Sequence, residues 1–77
     1  KVMSNSITKF KIDDKVVYSN KHVPNKLVMT VKRGTYKSSG MEMVTVELPG
    51  GLAHTFASEL RIATQAEVAA GVRHDSP

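Results

Sequence analysis

Residues 41–61 read MEMVTVELPGGLAHTFASELR, and the fold follows from how this stretch must turn. Two apolar-patterned runs, 43–48 and 52–56, flank Pro49-Gly50-Gly51. Proline sets its own φ at a turn entry and glycine accepts positive φ without a clash, so the centre is a hairpin turn. In the first run Val44, Val46 and Leu48 share one face, and Thr45 and Glu47 share the other. Met41 and Met43 fall off that parity, which implies either a bulge near Glu42 or extra apolar surface on the outer face. In the second run Leu52 and Phe56 are expected to point inward. His54 shares their parity and is expected to be half-buried with one ring nitrogen satisfied.

Working toward the N-terminus, residues 37–40 form a solvated, basic loop tip, and Gly34 marks a bend or bulge. The preceding strand is predicted over 27–32, with Tyr36 as the alternative end, and with Leu27, Met29 and Val31 facing the core. Residues 19–26 carry loop chemistry: Pro24 cannot donate to a ladder, and Asn25 tolerates left-handed backbone. Lys15–Tyr18 is the first firm strand, entered through the turn-prone pair Asp13-Asp14, with Phe10 plugging one end of the core. Residues 1–9 are expected to be a flexible arm. Met3 reads as a natural start, which leaves Lys1-Val2 as a remnant ahead of it.

Toward the C-terminus, residues 57–60 fit one 3₁₀ turn and 61–63 a short last strand. Thr64-Gln65-Ala66-Glu67 is a capping box, in which the Thr hydroxyl and the Glu carboxylate satisfy each other's orphan amides. Gly71 supplies the stop, so a two-turn helix spans 64–71. A helix that short is marginal alone and must rest on the sheet or on a partner. Residues 72–77 are expected to be a disordered tail.

Five short strands with tight turns and a 3₁₀ turn before the last strand describe a mostly β fold. FKIDDKVVYSN (10–20), LVMTVKRG (27–34) and MVTVELPGGLAHTF (43–56), followed by ELR (59–61), resemble the KOW/Tudor type of SH3-like module. That pattern enters through hydrophobic-x-hydrophobic-[Gly/Asp]-Asp-x-Val, with Asp13 standing here where Gly is common. The resemblance implies a small SH3-like five-stranded barrel over 10–63, with the short helix appended. LRIATQAEVAAGVRH (60–74) also resembles the C-terminal tails of small phage and prophage proteins, where LR-x-AT-x-x-E-x-x-AG-x-R recurs.

The 77-residue length allows one domain, which buries only roughly 60% of its unfolded surface and gains from self-association, so a homo-oligomer is a possible state. With no cysteine, disulfides and thiolate zinc sites are excluded. No apolar run reaches the roughly 18 residues of a membrane span, so the expectation is a cytoplasmic protein without membrane contact. His22, His54 and His74 are scattered and show no H-x-H or H-x-x-x-H pair, so no metal and no cofactor are expected. Asp13 and Asp14 point to opposite faces and are explained by turn formation, and no serine sits in a strained elbow. No catalytic residues are assigned.

Charge is the positive signal. The net charge is +4, yet residues 9–37 hold eight cations against Asp13 and Asp14, while residues 38–77 hold Arg61 and Arg73 against five carboxylates. A basic half raises the local concentration of polyanions. Lys21 and Lys26 from the first long loop, with Lys32, Arg33, Tyr36 and Lys37 from the next strand, are the candidate nucleic-acid contacts: cations for phosphates and one aromatic face for stacking. The competing class is a regulator or inhibitor that binds a host protein through an exposed strand edge or through Met41 and Met43. A solvated lysine-rich face kept for solubility accounts for the same charge without any partner.

Overall fold

The computed structural model describes residues 9–75 of the chain. Expectations for residues 1–8, including the start at Met3, lie outside them, as do those for 76–77. Five strands follow one another: β1 (Lys15–Tyr18), β2 (Met29–Ser38), β3 (Met41–Leu48), β4 (Gly51–Phe56) and β5 (Leu60–Ile62). A 3₁₀ turn over Ala57–Glu59 precedes β5, and the helix α1 (Gln65–Ala70) follows it. All pairings are antiparallel, in the order β4-β3-β2-β1-β5, and the sheet does not close on itself.

Inward parity on the three central strands builds the core. Val16, Met29, Val31, Val44 and Val46 are fully buried, with Phe10, Ala57 and Leu60 packed beside them. Leu48 and Ala53 lie against this cluster from its margin. Of the side chains expected to meet inside, Leu27, Leu52 and Phe56 do not, being 40%, 61% and 38% exposed. Leu27 is drawn off the sheet because residues 26–28 pair with the C-terminal segment instead. It bridges Val72, while the Val28 amide donates to the Gly71 carbonyl. Ile12 is likewise exposed, because the chain turns at Asp13 (φ 77°) before Ile12 can enter a strand. Asp14 closes that turn, its carboxylate accepting the Lys11 amide at 2.8 Å.

The tip between β2 and β3 is tighter than a flexible loop. Ser39 (φ 52°) and Gly40 (φ 79°) form a two-residue connection in which both residues take positive φ, so β2 runs on to Ser38.

The capping box forms as the sequence requires: the Glu67 amide donates to Thr64 Oγ1 at 3.1 Å, and the Thr64 amide donates to Glu67 Oε1 at 2.9 Å. Gly71 ends the helix at φ 80°. Glu67 does more than cap. Its carboxylate is almost fully buried and also receives both Arg61 guanidinium nitrogens, at 2.8 and 2.7 Å, and the His74 amide at 2.8 Å. The helix therefore rests on its own sheet, tied to β5. The Arg61 hydrogen bonds hold the Glu67 carboxyl far below the usual carboxylate range, against the opposing pull of burial.

The C-terminal segment corrects an expectation: residues 72–75 are not a free tail. The Arg73 guanidinium is buried and donates to the carbonyls of Tyr18 (3.3 Å), Asn20 (2.9 Å), Lys21 (3.0 Å) and Val23 (2.9 Å). Asp75 completes the fork at 2.6 Å and is held below its ordinary value by Arg73. Tyr18 ends β1 and the other three carbonyls come from the loop after it, which has no ladder of its own, so one side chain satisfies a stretch of backbone.

Replacing Arg73 with Ala strips the guanidinium from these carbonyls, leaving Asn20 only its bond from the Val23 amide, and is expected to destabilise the fold by about 3 kcal/mol in urea denaturation, with Arg73→Lys recovering only part because an ammonium cannot fork. Glu67 sets an acid limit. Between its folded value and the unfolded value of about 4.3, the unfolded chain binds the extra proton. Stability should be complete above that window and fall as pH drops through it. Denaturation midpoints across the acid range should show this fall in the native chain and a shallower one in Glu67→Gln.

Candidate functional site

The outer face of β2, β3 and β4 carries a compact polar-aromatic cluster. A two-residue turn, Pro49-Gly50, closes on the pair Leu48–Gly51. Because Leu48 points inward, Gly51 must share its side, and so must Ala53 and Thr55. Leu52, His54 and Phe56 then point out. The expectation that Leu52 and Phe56 are core residues is therefore overturned: counting Gly51 as part of the turn shifts the parity of the strand by one residue. His54 is exposed rather than half-buried.

On β3 the outward set is Met43, Thr45 and Glu47. Met43 is opposite Tyr36 on β2 and Phe56 on β4, and Thr45 is opposite Arg33 and His54. Register is unbroken from Met41 to Met43, so their parity reflects outer apolar surface rather than a bulge near Glu42. The irregularities lie on β2, between Val31 and Arg33 and between Arg33 and Tyr36. These two shifts turn Arg33 and Tyr36 onto the same face. The Arg33 guanidinium then sits 3.8 Å from the Tyr36 ring centroid, a cation–π stack.

Below the stack, His54 Nδ1 lies 2.8 Å from Thr45 Oγ1 and 3.3 Å from the Tyr36 hydroxyl. One ring nitrogen carries one proton or one lone pair, so the two hydroxyls share it in alternation and the shorter contact is the better bond. Thr45, roofed by these neighbours, is only 4% exposed although it lies on the outer side.

Gly34 sits within the irregular part of β2 for a steric reason. A Cβ there would come within 2.7 Å of the Phe10 carbonyl oxygen, which accepts the Thr35 amide at 3.1 Å. The chain leading into β1 thus lies directly against this bend, and its Phe10 side chain fills the core beneath.

The predicted contacts divide into groups. Lys32, Arg33 and Tyr36 come together on β2, with Lys32 Nζ 3.9 Å from Glu47, an exposed pair of little strength. Lys37 is opposite Glu42 in register, on the parity opposite to Tyr36. Lys21 and Lys26 stand apart, on the loop gathered round Arg73, and Lys26 pairs with Asp75 at 3.5 Å. Tyr36 lies seven residues along the bulged β2 from Met29 beside that loop, a span that β3 covers in about five residues, roughly 17 Å at 3.3 Å per residue. His54, Thr45 and Phe56 belong to the cluster and were not among the predicted residues. Sequence reasoning missed them because Pro49-Gly50-Gly51 admits a turn of two or three residues; once pairing with β3 fixes the two-residue turn, an inward Leu48 commits every second residue of β4.

Met41 and Phe56, with Gly40, Glu42 and Ser58, line an open recess of about 220 Å³. Small-molecule sites run from roughly 300 Å³ upward and are enclosed, so this recess suits a single side chain or base. A second hollow of about 360 Å³ opens beside Ser19, Asn20, Val23, Ser58 and Glu59. Among the described residues no cluster of three His, Asp or Glu side chains is arranged to hold a metal, and no helix is long and apolar enough to cross a membrane. No protein-family model, curated protein or solved structure matches the chain.

Gly34→Ala is expected to cost about 1–3 kcal/mol, because backbone rather than a flexible side chain blocks the new methyl group. Thermal denaturation would measure the loss. Tyr36 and His54 side-chain NMR shifts should move with it as the bend relaxes.

Proposed function

We propose that this chain is a non-enzymatic binding module that takes single-stranded nucleic acid on the outer face of β2, β3 and β4. The observation that carries the reading is the Arg33–Tyr36 stack with His54 hydrogen-bonded beneath it. Aromatic and guanidinium planes accept any base, while Lys32 and Arg33 supply cations for the phosphates alongside. Phe56 and Met43 extend the stacking surface toward the edge of the sheet, beside the recess under Met41. The strand order, with a long bent β2 shared between β1 and β3, supports an SH3-like barrel of the KOW/Tudor type as the scaffold. A phage or prophage origin rests on the C-terminal motif alone.

A second reading, a regulator or inhibitor of a host protein, draws on the recess itself. Met41 is 51% exposed beside Phe56, and a flexible thioether next to an aromatic suits an apolar side chain of a partner protein.

Fluorescence anisotropy with a mixed-sequence single strand distinguishes the two. On the nucleic-acid reading, log affinity falls against log salt with a slope of about −1.4, as for two phosphate contacts at roughly −0.7 each. Tyr36→Ala should cost about 1–3 kcal/mol of binding, and Lys32→Glu with Arg33→Glu should abolish it. Absence of any shift at low salt would refute this reading. A protein captured from nuclease-treated lysate and lost on Met41→Asp would establish the second.

A further inference from the structure

The edge of the sheet at β4 points to a second ligand, which is another copy of this chain. β4 pairs with β3 alone, and among the described residues no backbone hydrogen bond reaches its other side. A two-residue turn closes on a pair that exchanges both hydrogen bonds, and such pairs alternate along an antiparallel ladder. From Leu48–Gly51, the residues of β4 bonded to β3 are Gly51, Ala53 and Thr55. Leu52 and His54 therefore turn their N–H and C=O groups to the open edge, and Phe56 turns its N–H there while its carbonyl begins the 3₁₀ turn. Their side chains also lie on the outer face, Leu52 being 61% and Phe56 38% exposed.

Open edges are normally blunted by lysine, proline, a bulge or brevity. The six residues of β4, GLAHTF, carry no lysine and no proline, and the ladder to β3 has no register shift. We propose that two copies join through β4 in antiparallel register about a twofold axis at His54, making one ten-stranded sheet. The sequence around His54 is symmetric in character: apolar Leu52, small Ala53, His54, small Thr55, apolar Phe56. Setting His54 opposite the partner's His54 places Leu52 against the partner's Phe56, and Phe56 against the partner's Leu52. The edge-bonding residues face each other in all three positions, so the His54 N–H and C=O, the Phe56 N–H and the Leu52 C=O all gain free partners, while the Leu52 N–H shares the Phe56 carbonyl with the 3₁₀ turn. A register moved by two residues sets His54 against an apolar side chain and leaves another apolar residue without a counterpart.

Charge does not oppose the pairing. The stacked Arg33 lies on β2, so five strand spacings of about 4.8 Å separate it from the partner's Arg33, roughly 24 Å in all. That is about three Debye lengths at physiological ionic strength, and the like charges are screened. Both outer faces then fall on one continuous surface, with His54 of each copy at its centre. This inference does not depend on what ligand that surface takes.

Because the chain has no cysteine, single introduced thiols report the register directly. Light scattering should give twice 8.4 kDa at about 0.5 mM, falling to 8.4 kDa for Leu52→Lys with the circular dichroism unchanged. His54→Cys should form a disulfide-linked dimer under mild oxidation. Leu52→Cys and Phe56→Cys should each stay uncrosslinked alone and crosslink when mixed, which tests the register even if the His54 variant folds poorly. A native mass of 8.4 kDa at that concentration overturns the proposal. So does a Leu52→Cys chain that crosslinks to itself.

Discussion

The two-residue turn at Pro49-Gly50 is the constraint on which the surface of this protein depends. A side-chain period of two admits no compromise, so moving the turn by one residue would exchange the two faces of β4. With Leu48 opposite Gly51, the small residues Ala53 and Thr55 face the core, and the large residues Leu52, His54 and Phe56 face out. The core is already filled by Val44, Val46, Met29 and Val31, and it needs little more than a methyl group from β4. The bulk placed outside meets Met43, Thr45, Tyr36 and Arg33, and the cluster on the outer face results. Gly50 and Gly51, at φ 96° and 150°, permit a turn this short.

Two carboxylate–guanidinium assemblies hold the other end of the molecule. Arg61 and Glu67 tie the helix to β5, and Arg73 with Asp75 ties the last described residues to the loop after β1. Both spend a fork of donors on fixed acceptors, and neither leaves a buried polar side-chain atom without a partner among the described residues. In a chain with so few large apolar residues, such satisfied polar clusters substitute for core volume. Their cost is a dependence on ionisation, which ties stability to pH. The candidate site on the opposite flank is built differently, from exposed Arg33 and His54 and half-buried Tyr36 over Thr45, with no charge paired in its centre among the described residues.

The strands, the capping box and the glycine stop were legible because each is specified by neighbours in sequence. Lys15–Tyr18 has the bounds expected for it, and Asp13 takes the left-handed backbone that a glycine would otherwise supply. Part of the site was legible as well: Lys32, Arg33 and Tyr36 share a face, although two irregularities on β2 rather than simple alternation bring them there. Leu52, His54 and Phe56 were assigned to the wrong side because a Pro-Gly-Gly triplet admits turns of two or three residues. Only pairing with β3 selects the shorter one. Lys21 and Lys26 looked like members of the same group because charge clusters in sequence before it clusters in space.

Arg73 is the clearest case of information that local sequence does not hold. Its partners Tyr18, Asn20, Lys21 and Val23 lie 50 to 55 residues away, and nothing around Arg73 distinguishes a clasp from a solvated tail. By itself the sequence determined a single small β domain, its main strands, its capped helix and a basic first half. These follow from periodicity, backbone preference and composition, which are properties of adjacent residues. The tertiary structure alone decided which face of β4 is outside, which cations stand beside an aromatic ring, and that the C-terminal segment is part of the fold. Those depend on register and on distant hydrogen-bond partners, and both exist only once the strands have met.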